Sequence, residues 1–490
     1  MNLGQMFEES CKRYGNTVAT IYDGNSLTYE ALNRAVNALA NELKRLDIKK
    51  GDTVAVMLPN CPEFVISYFA VHKIGAVAVT LNVLSTSYEL RHLLGNNDAK
   101  CLITETPLAK KIDDITTDLP LCRHLITTSG PDSDSPFWKI MQKGPFTFEI
   151  PPINDDDPAV IIYTSGLTGK SLGAVLTHRN LLTQANLLRD VYHCTEKSRS
   201  LALIPLFHAF GAVVNMLGVI RIGASIVLTD RFSLEGIFST IEKEKVTYLA
   251  AVPRLFLGMI MHEGTEKYDL RSLEFCITGG STMPPDFIPL FEDKFKVMLR
   301  EGYGLTEASP VCSVGRPEMI HKPGSIGTIV PGTEATVMDE DDHEVPTGEI
   351  GELVIRGDNV MKGYYKDEAA TARVMRNGWL HTGDLAKIDE DGYIFLKGMK
   401  KRMIITSGFN VYPLEIEQIL KLHPAVKTAM VVGKPDLMRG EIVTALIVRH
   451  PEIQTDAKEI VRHCRTYLSS YKVPREVVFV DSTVKEEGLT

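Results

Sequence analysis

Tyr163-Thr164-Ser165-Gly166-Leu167-Thr168-Gly169-Lys170-Ser171-Leu172-Gly173 is the stretch on which the reading of this chain turns. Its glycines let the backbone bend so that successive N–H groups point the same way. The hydroxyls add donors and Lys170 adds charge, a combination that suits phosphate oxygens. The Gly169-Lys170-Ser171 end invites comparison with the P-loop of nucleoside triphosphatases. That loop needs a glycine where Thr164 stands, and it opens a helix. Residues 173–177 instead read as a strand, so a P-loop is excluded. Taken alone, the segment also fits a plain Gly/Ser/Thr surface turn.

On the N-terminal side, helix and strand signals alternate. Thr28 is placed to cap a helix whose apolar face is Leu32, Ala35, Val36, Leu39, Leu43 and Leu46. Residues 53–58 form an apolar run bounded by Gly51-Asp52 and Pro59-Asn60 and read as a buried strand. Pro62 opens another helix, residues 76–81 a strand, the segment after Ser87 a helix, and 100–104 a strand. Such βα repeats predict largely parallel sheets covered by helices. The α/β texture continues over about 157–327, then changes to short β runs with turns over about 324–391, Gly351 to Gly357 among them. A charged run at 397–402 reads as a hinge between a large domain, 1–396, and a small α+β domain, 403–490. Within the latter, 413–420 and 460–468 read as helices and 425–432 as a strand.

The chain has 490 residues, too many for one core. A formal net charge of −9 argues against a general nucleic-acid partner. The 8 cysteines are scattered without a CxxC pair, which fits reduced thiols in a cytoplasmic protein. The N-terminus has no signal-peptide pattern. The longest apolar run, 211–220, ends at Arg221 and is too short for a membrane span. Peripheral membrane contact and a homodimer both stay open on the sequence.

Further motifs follow the loop in order: Pro205-Leu206-Phe207-His208-Ala209-Phe210-Gly211, Gly279-Gly280-Ser281, and Gly302-Tyr303-Gly304-Leu305-Thr306-Glu307. After these come Gly378-Trp379-Leu380-His381-Thr382-Gly383-Asp384-Leu385 and Ser407-Gly408-Phe409-Asn410-Val411-Tyr412-Pro413. Together they resemble the adenylate-forming superfamily of AMP-forming acyl-CoA synthetases, luciferases and peptide-synthetase adenylation domains, over nearly the whole chain. The resemblance implies ATP, Mg²⁺ and CoA as ligands and a small-molecule carboxylic acid as substrate. The carboxylate attacks the α-phosphorus to give acyl-AMP, and a thiol then displaces AMP. Positioning and charge neutralisation dominate such chemistry.

By that resemblance Thr164, Ser165, Gly166, Thr168, Gly169 and Lys170 hold phosphates. Gly280, Ser281, Gly302, Tyr303, Gly304 and Asp384 complete the nucleotide site, with Asp384 on the ribose. Thr306, Glu307 and His208 form the catalytic set: Thr306 touches phosphate and Glu307 holds Mg²⁺, a hard cation that prefers oxygen ligands. His208 gates the acid, and Ala209, Val213 and Met216 line its pocket. Ser407, Gly408 and Phe409 line the CoA tunnel, and Lys401 is the hinge residue. Plainer readings stand beside these: Glu307 as a solvated loop carboxylate, Asp384 as a turn residue, His208 as a core histidine between Phe207 and Phe210. Lys397, Lys400, Lys401 and Arg402 suit either CoA phosphates or a solvated hinge.

The chain also departs from the family form TSGTTGKPKG. Leu167, Ser171 and Leu172 replace Thr, Pro and Lys, and Met399 stands where an Arg usually reaches the nucleotide. Residues 479–490 lack the Thr/Ser-Gly-Lys motif whose Lys bridges carboxylate and α-phosphate; Thr490 or Leu489 falls there, and Lys485 matches an earlier position. Each charged hydrogen bond is worth about 1.5–3 kcal/mol, and losing one transition-state donor costs ~10²–10³ in rate. Adenylation by this sequence is therefore expected to be slow. The apolar run after His208 has no cation for a second carboxylate, so an apolar monocarboxylic acid (fatty, alicyclic or aromatic) is expected. Two alternatives remain: an adenylate-binding member impaired in turnover, and an acyl-AMP ligase or luciferase-like enzyme.

Overall fold

The computed structural model describes residues 1–130, 133–165, 171–229, 233–400 and 403–480. The alternation expected from the sequence is present. Thr28 Oγ1 accepts the Ala31 amide at 3.2 Å and starts the helix Tyr29–Arg45, which buries Leu32, Val36, Leu39 and Leu43. Pro62 opens the helix Pro62–Lys73 where no helical N–H is required. A Thr86–Glu89 capping box opens Ser87–Asn96. Between these helices, strands Thr53–Met57, Val77–Thr80 and Cys101–Glu105 run parallel, the first two buried on both faces.

These strands belong to a seven-stranded sheet that adds His124–Thr128 at one side and Pro158–Ser165 at the other. Ser171–Thr177 and Gly363–Tyr364 extend it antiparallel. A nine-stranded sheet has Arg199–Ala202, Ser225–Leu228, Tyr248–Ala251, Phe275–Thr278 and Met298–Gly304 as its parallel centre. One core joins the facing sides of both sheets, with Val54, Ala78 and Val160 from the first and Ala202, Ile226 and Ala250 from the second. The helix Pro62–Lys73 lies within that core and is buried on every side, which explains its lack of a polar face. Phe69 stacks on Phe7 of the N-terminal helix at 4.3 Å between ring centres. Residues after His208 wind as a π-helix, Gly211–Leu217, and continue as the α-helix Gly218–Ile222. Among the described residues, no helix is long and apolar enough to cross a membrane.

A third, five-stranded antiparallel sheet contains Thr333–Met338, Gly351–Gly357 and Trp379–Ile388, with Met375–Arg376 and Ile394–Met399 on its last long strand. The charged run at 397–402 thus begins inside this sheet. Lys400 continues it through its amide to Gly383 O at 2.9 Å, and Lys401 lies outside the described residues. From Ile404 onward a separate small unit forms. Strands Ile404–Thr406, Phe409–Val411, Val426–Asp436 and Gly440–Arg449 are joined by Glu476–Phe479, which runs parallel to Gly440–Arg449. Helices Pro413–Leu420 and Ala457–Tyr467 cover the sheet around a core including Ile416, Val431, Ala445 and Ile460. The fold is α/β, a large N-terminal domain followed by a smaller C-terminal one, as expected.

Two imidazoles, His72 and His178, are fully buried with rings 5.6 Å apart. Burial, and then the neighbouring His178, pushes His72 down from 6.5 to about 3; burial pushes His178 down to about 4. Both are neutral in the fold and protonate in the unfolded chain below 6.5, so their stability contribution falls as pH drops from 6.5 towards 4. Each removes up to about 1.4 kcal/mol per pH unit in that window. The thermal midpoint should therefore fall between pH 7 and pH 5, and a His72→Asn variant should show a smaller fall. An equal fall in both proteins removes His72 from the account.

Candidate active site

In both large sheets the loops at the carboxyl ends of parallel strands gather in one place, the edge where α/β sheets bind ligands. Val77–Thr80 runs into Leu81-Asn82, Arg199–Ala202 towards Phe207-His208, and Met298–Gly304 into Thr306-Glu307. A cavity of about 590 Å³ opens there, lined by Leu81, Ile162, Thr164, Phe207, His208 and Thr306 on the large-domain side. Phe409, Asn410 and Tyr471 of the small domain form the opposite wall. A larger hollow of about 700 Å³, between the N-terminal helix and residues 147–150, holds none of the residues singled out in the sequence.

Thr164 Oγ1 donates to Leu172 O at 3.4 Å, and the Ser165 backbone pairs with Ser171, so the two arms of the phosphate loop are a β-hairpin. Gly166, Thr168, Gly169 and Lys170 lie outside the described residues. Gly302 and Tyr303 end the strand Met298–Gly304. At Gly304 a Cβ would stand 1.9 Å from Pro310 O, so only glycine lets the chain turn back there. The turn is closed by the Leu305 amide on Pro310 O at 2.9 Å, and Thr306 and Glu307 sit on its crest.

Glu307 is oriented by a residue outside the sequence motifs. Tyr364 donates its hydroxyl to Glu307 Oε1 at 2.7 Å, from the short strand that adds to the phosphate-loop hairpin. Burial, then the Glu307 charge, raises the Tyr364 phenol far above its ordinary range, so it remains a donor. Asp384 is held in a parallel way: Tyr303 donates to Asp384 Oδ2 at 2.5 Å. Burial, then Asp384, likewise raises the Tyr303 phenol. Behind this corner, buried Glu352 accepts the Gly383 amide at 2.9 Å and pairs with Lys400 at 3.1 Å and His381 at 3.3 Å. Burial raises the Glu352 carboxyl, but Lys400 and His381 outweigh it and hold it below the usual range. Lys400 is therefore committed to the large domain. Met399 stands directly across the strand pair from Asp384.

His208 accepts the Phe210 amide on Nδ1 at 3.2 Å, which puts the ring proton on Nε2. Surrounding protein lowers it to about 4, so it is a neutral donor at the cavity wall. Ala209, Val213 and Met216 are placed elsewhere. All three are fully buried in the core between the sheets, and none lines this cavity.

Gly280, at φ +80°, and Ser281 follow the strand Phe275–Thr278. The small domain reaches this turn. Gly408 has φ +84°, a Cβ on it would strike Val252 at 2.4 Å, and its carbonyl is 3.9 Å from a Cβ built on Gly280. Beside it, Arg254 of the large domain and Arg439 of the small domain donate to Ser407 Oγ at 3.3 and 3.4 Å. The turns carrying Gly280 and Gly408 thus meet where the two domains touch.

Residues 7–365 match the family described as AMP-binding enzyme, and residues 415–487 match the AMP-binding enzyme C-terminal domain. The chain belongs to the AMP-binding enzyme family, the adenylate-forming superfamily whose motifs it carries. A long-chain-fatty-acid–CoA ligase of Bacillus subtilis (strain 168) is 34% identical over 511 residues, covering 97% of this chain and 90% of the relative. A feruloyl-CoA synthase of an Amycolatopsis species is 34% identical over 468 residues, covering 95% and 92%. Among solved structures, a double mutant of o-succinylbenzoate CoA synthetase from Bacillus subtilis, bound with a product analogue, aligns with a TM-score of 0.87. It is 27% identical and covers 98% of this chain and 95% of its own.

On the expectation that Asp384 takes the ribose, Asp384→Ala should weaken ATP or AMP binding by about 1–3 kcal/mol, the worth of a charged acceptor. Titration calorimetry on the two proteins measures this, and unchanged affinity takes Asp384 out of the site. On the expectation that Glu307 holds Mg²⁺, Tyr364→Phe should lower Mg²⁺-dependent ATP affinity in the same titration while leaving Mg²⁺-free AMP binding intact, since only Glu307 loses its tether.

Proposed function

We propose that this protein is an acid–CoA ligase, converting ATP and a carboxylic acid to acyl-AMP and pyrophosphate, then acyl-AMP and CoA to acyl-CoA and AMP. The observation that carries the reading is the shared cavity, where His208 and Thr306 of the large domain meet Phe409 and Asn410 of the small one. Ribose hydroxyls fall to Asp384, and phosphate oxygens to Thr306 and the loop at 164–170. The neutral Nε2–H of His208 donates to one oxygen of the acid and leaves the other for attack on the α-phosphorus. A neutral donor suits this step, because it orients the nucleophile without lowering its charge.

Mg²⁺ fits the site through Glu307. Tyr364 fixes one carboxylate oxygen, and no group of three or more His, Cys, Asp or Glu among the described residues forms a closed cage. That is the donor set expected when a cation is held by one carboxylate together with substrate phosphates. Bound there, it would neutralise phosphate charge. In the second step the thiol approaches along Phe409 and Tyr471, with Arg254 and Arg439 near the tunnel turn for CoA phosphates.

An apolar monocarboxylic acid is the substrate class best supported. Leu81, Ile162 and Phe207 line the inner cavity. Of the lining lysines and arginines among the described residues, Arg91 is paired with Asp118 at 2.8 Å and Lys472 with Glu89 and Glu415. Neither is spare for a second carboxylate. Relatives named for long-chain fatty acids and for ferulate accord with this.

Adenylation is the slower half in this reading, since Leu172 and Met399 supply no cation near the triphosphate. Two single-turnover assays test it, one from ATP plus a panel of acids and one from synthetic acyl-AMP plus CoA, with AMP and acyl-CoA resolved by mass spectrometry. Transfer should outpace adenylation, and Met399→Arg should raise adenylation by about tenfold, the worth of one charged hydrogen bond. Equal rates in the two assays overturn the slow-adenylation reading. Failure to form acyl-CoA in either assay, with any acid, overturns the ligase reading.

A further inference from the structure

The outer wall of the cavity depends on one buried group of charges. Lys472 of the small domain, 6% exposed at its side chain, reaches Glu89 Oε1 at 2.8 Å on the large-domain helix Ser87–Asn96. It also reaches Glu415 Oε1 at 2.7 Å on the helix Pro413–Leu420 of its own domain. The same contact continues on both sides. Ser469 Oγ donates to Glu89 Oε2 at 2.5 Å, Thr86 Oγ1 donates to Tyr467 O at 2.9 Å, and the Tyr88 and Tyr467 rings meet edge-on at 5.1 Å.

Buried ion pairs cost desolvation, and breaking one is severe when a charge is left without a partner. Here both cross-domain partners keep a local one. Glu89 Oε2 accepts the Thr86 amide at 2.9 Å within its capping box, and Lys472 keeps Glu415. Parting the domains therefore strands neither charge, whereas docking adds a charge-assisted bond between them. Burial raises the Glu89 carboxyl, but Lys472 and Ser469 outweigh it and hold it ionised. Next to the ion pair, Tyr471 stacks on Phe409 at 4.4 Å, so the position of Lys472 is transmitted to the tunnel turn.

We infer that Glu89, Lys472 and Glu415 form a releasable positioning latch that seats the small domain over the cavity and sets Phe409 and Tyr471 as the wall of the thiol path. Its kinetic consequence rests on the ligase reading; its conformational consequence rests on the geometry alone. The test uses the full chain with a donor and acceptor dye on the two domains, in the unsubstituted protein and in Lys472→Met, Glu89→Gln and Lys472→Arg. Lys472→Met and Glu89→Gln should each widen the interdomain distance distribution. Each should slow acyl transfer from supplied acyl-AMP to CoA by about tenfold or more, the loss expected for one charge-assisted bond. Acyl-AMP formation should fall far less, and Lys472→Arg should recover most of the transfer rate. An unchanged distance distribution in both variants overturns the latch. Equal loss of both half-reactions with a lowered Tm overturns it too, because that is the mark of a merely structural pair. If the unsubstituted chain transfers no acyl group to CoA, the ligase reading falls, and the distance distribution still decides the latch.

Discussion

Two phenol hydroxyls, Tyr364 on Glu307 and Tyr303 on Asp384, keep carboxylates in place where we propose that the nucleotide binds. In the proposed site, loose negative charge would repel a triphosphate, and each carboxylate would serve only at one distance from its ligand. A neutral donor tethers a carboxylate without cancelling it, which a lysine in the same position does not do. A third carboxylate, Glu352, is treated in the opposite way. It is buried behind the strand, paired with Lys400, beside His381, and accepts the Gly383 amide. The antiparallel third sheet is thereby the rigid back of a site whose other parts are loops.

The elements that build the site were legible because their signals are local. The cap at Thr28, Pro62 at a helix start, and apolar runs short enough for buried strands each lie within a few residues of the feature they announce. The same holds for residues 173–177, which read as a strand and form the second arm of the hairpin. What supports those residues was not legible. Tyr364 meets Glu307 from 57 positions away, and Lys472 meets Glu89 from 383. Pairs so distant have no pattern along the chain. Ala209, Val213 and Met216 illustrate a different limit, since an apolar run reads alike whether it lines a pocket or fills a core. Lys400 illustrates a third: within a charged run, nothing distinguishes the lysine with a buried partner from its neighbours.

Contacts between the domains include the latch, the aromatic pair of Tyr88 and Tyr467, the Arg254–Ser407 bond and the close seat of Gly408 on Val252. The small domain has a core of its own, complete without these contacts. Polar, point-like interfaces between independently cored units are the kind that permit relative motion. Gly408 sharpens this contact, because both its positive φ and its proximity to Val252 exclude any larger residue.

The pairing of Thr20 with Ile226 has a consequence for synthesis. The strand Val18–Tyr22 emerges early but finds its parallel partner only after more than two hundred further residues. At about 5–20 residues per second, translation leaves it waiting on the order of ten seconds or more. The helix Pro62–Lys73, buried on every side in the fold, waits as well, because the second sheet that covers it is not yet made. During that interval the nascent chain presents a half-covered sheet and a helix with no wet face. Both surfaces become covered only once the second sheet is complete.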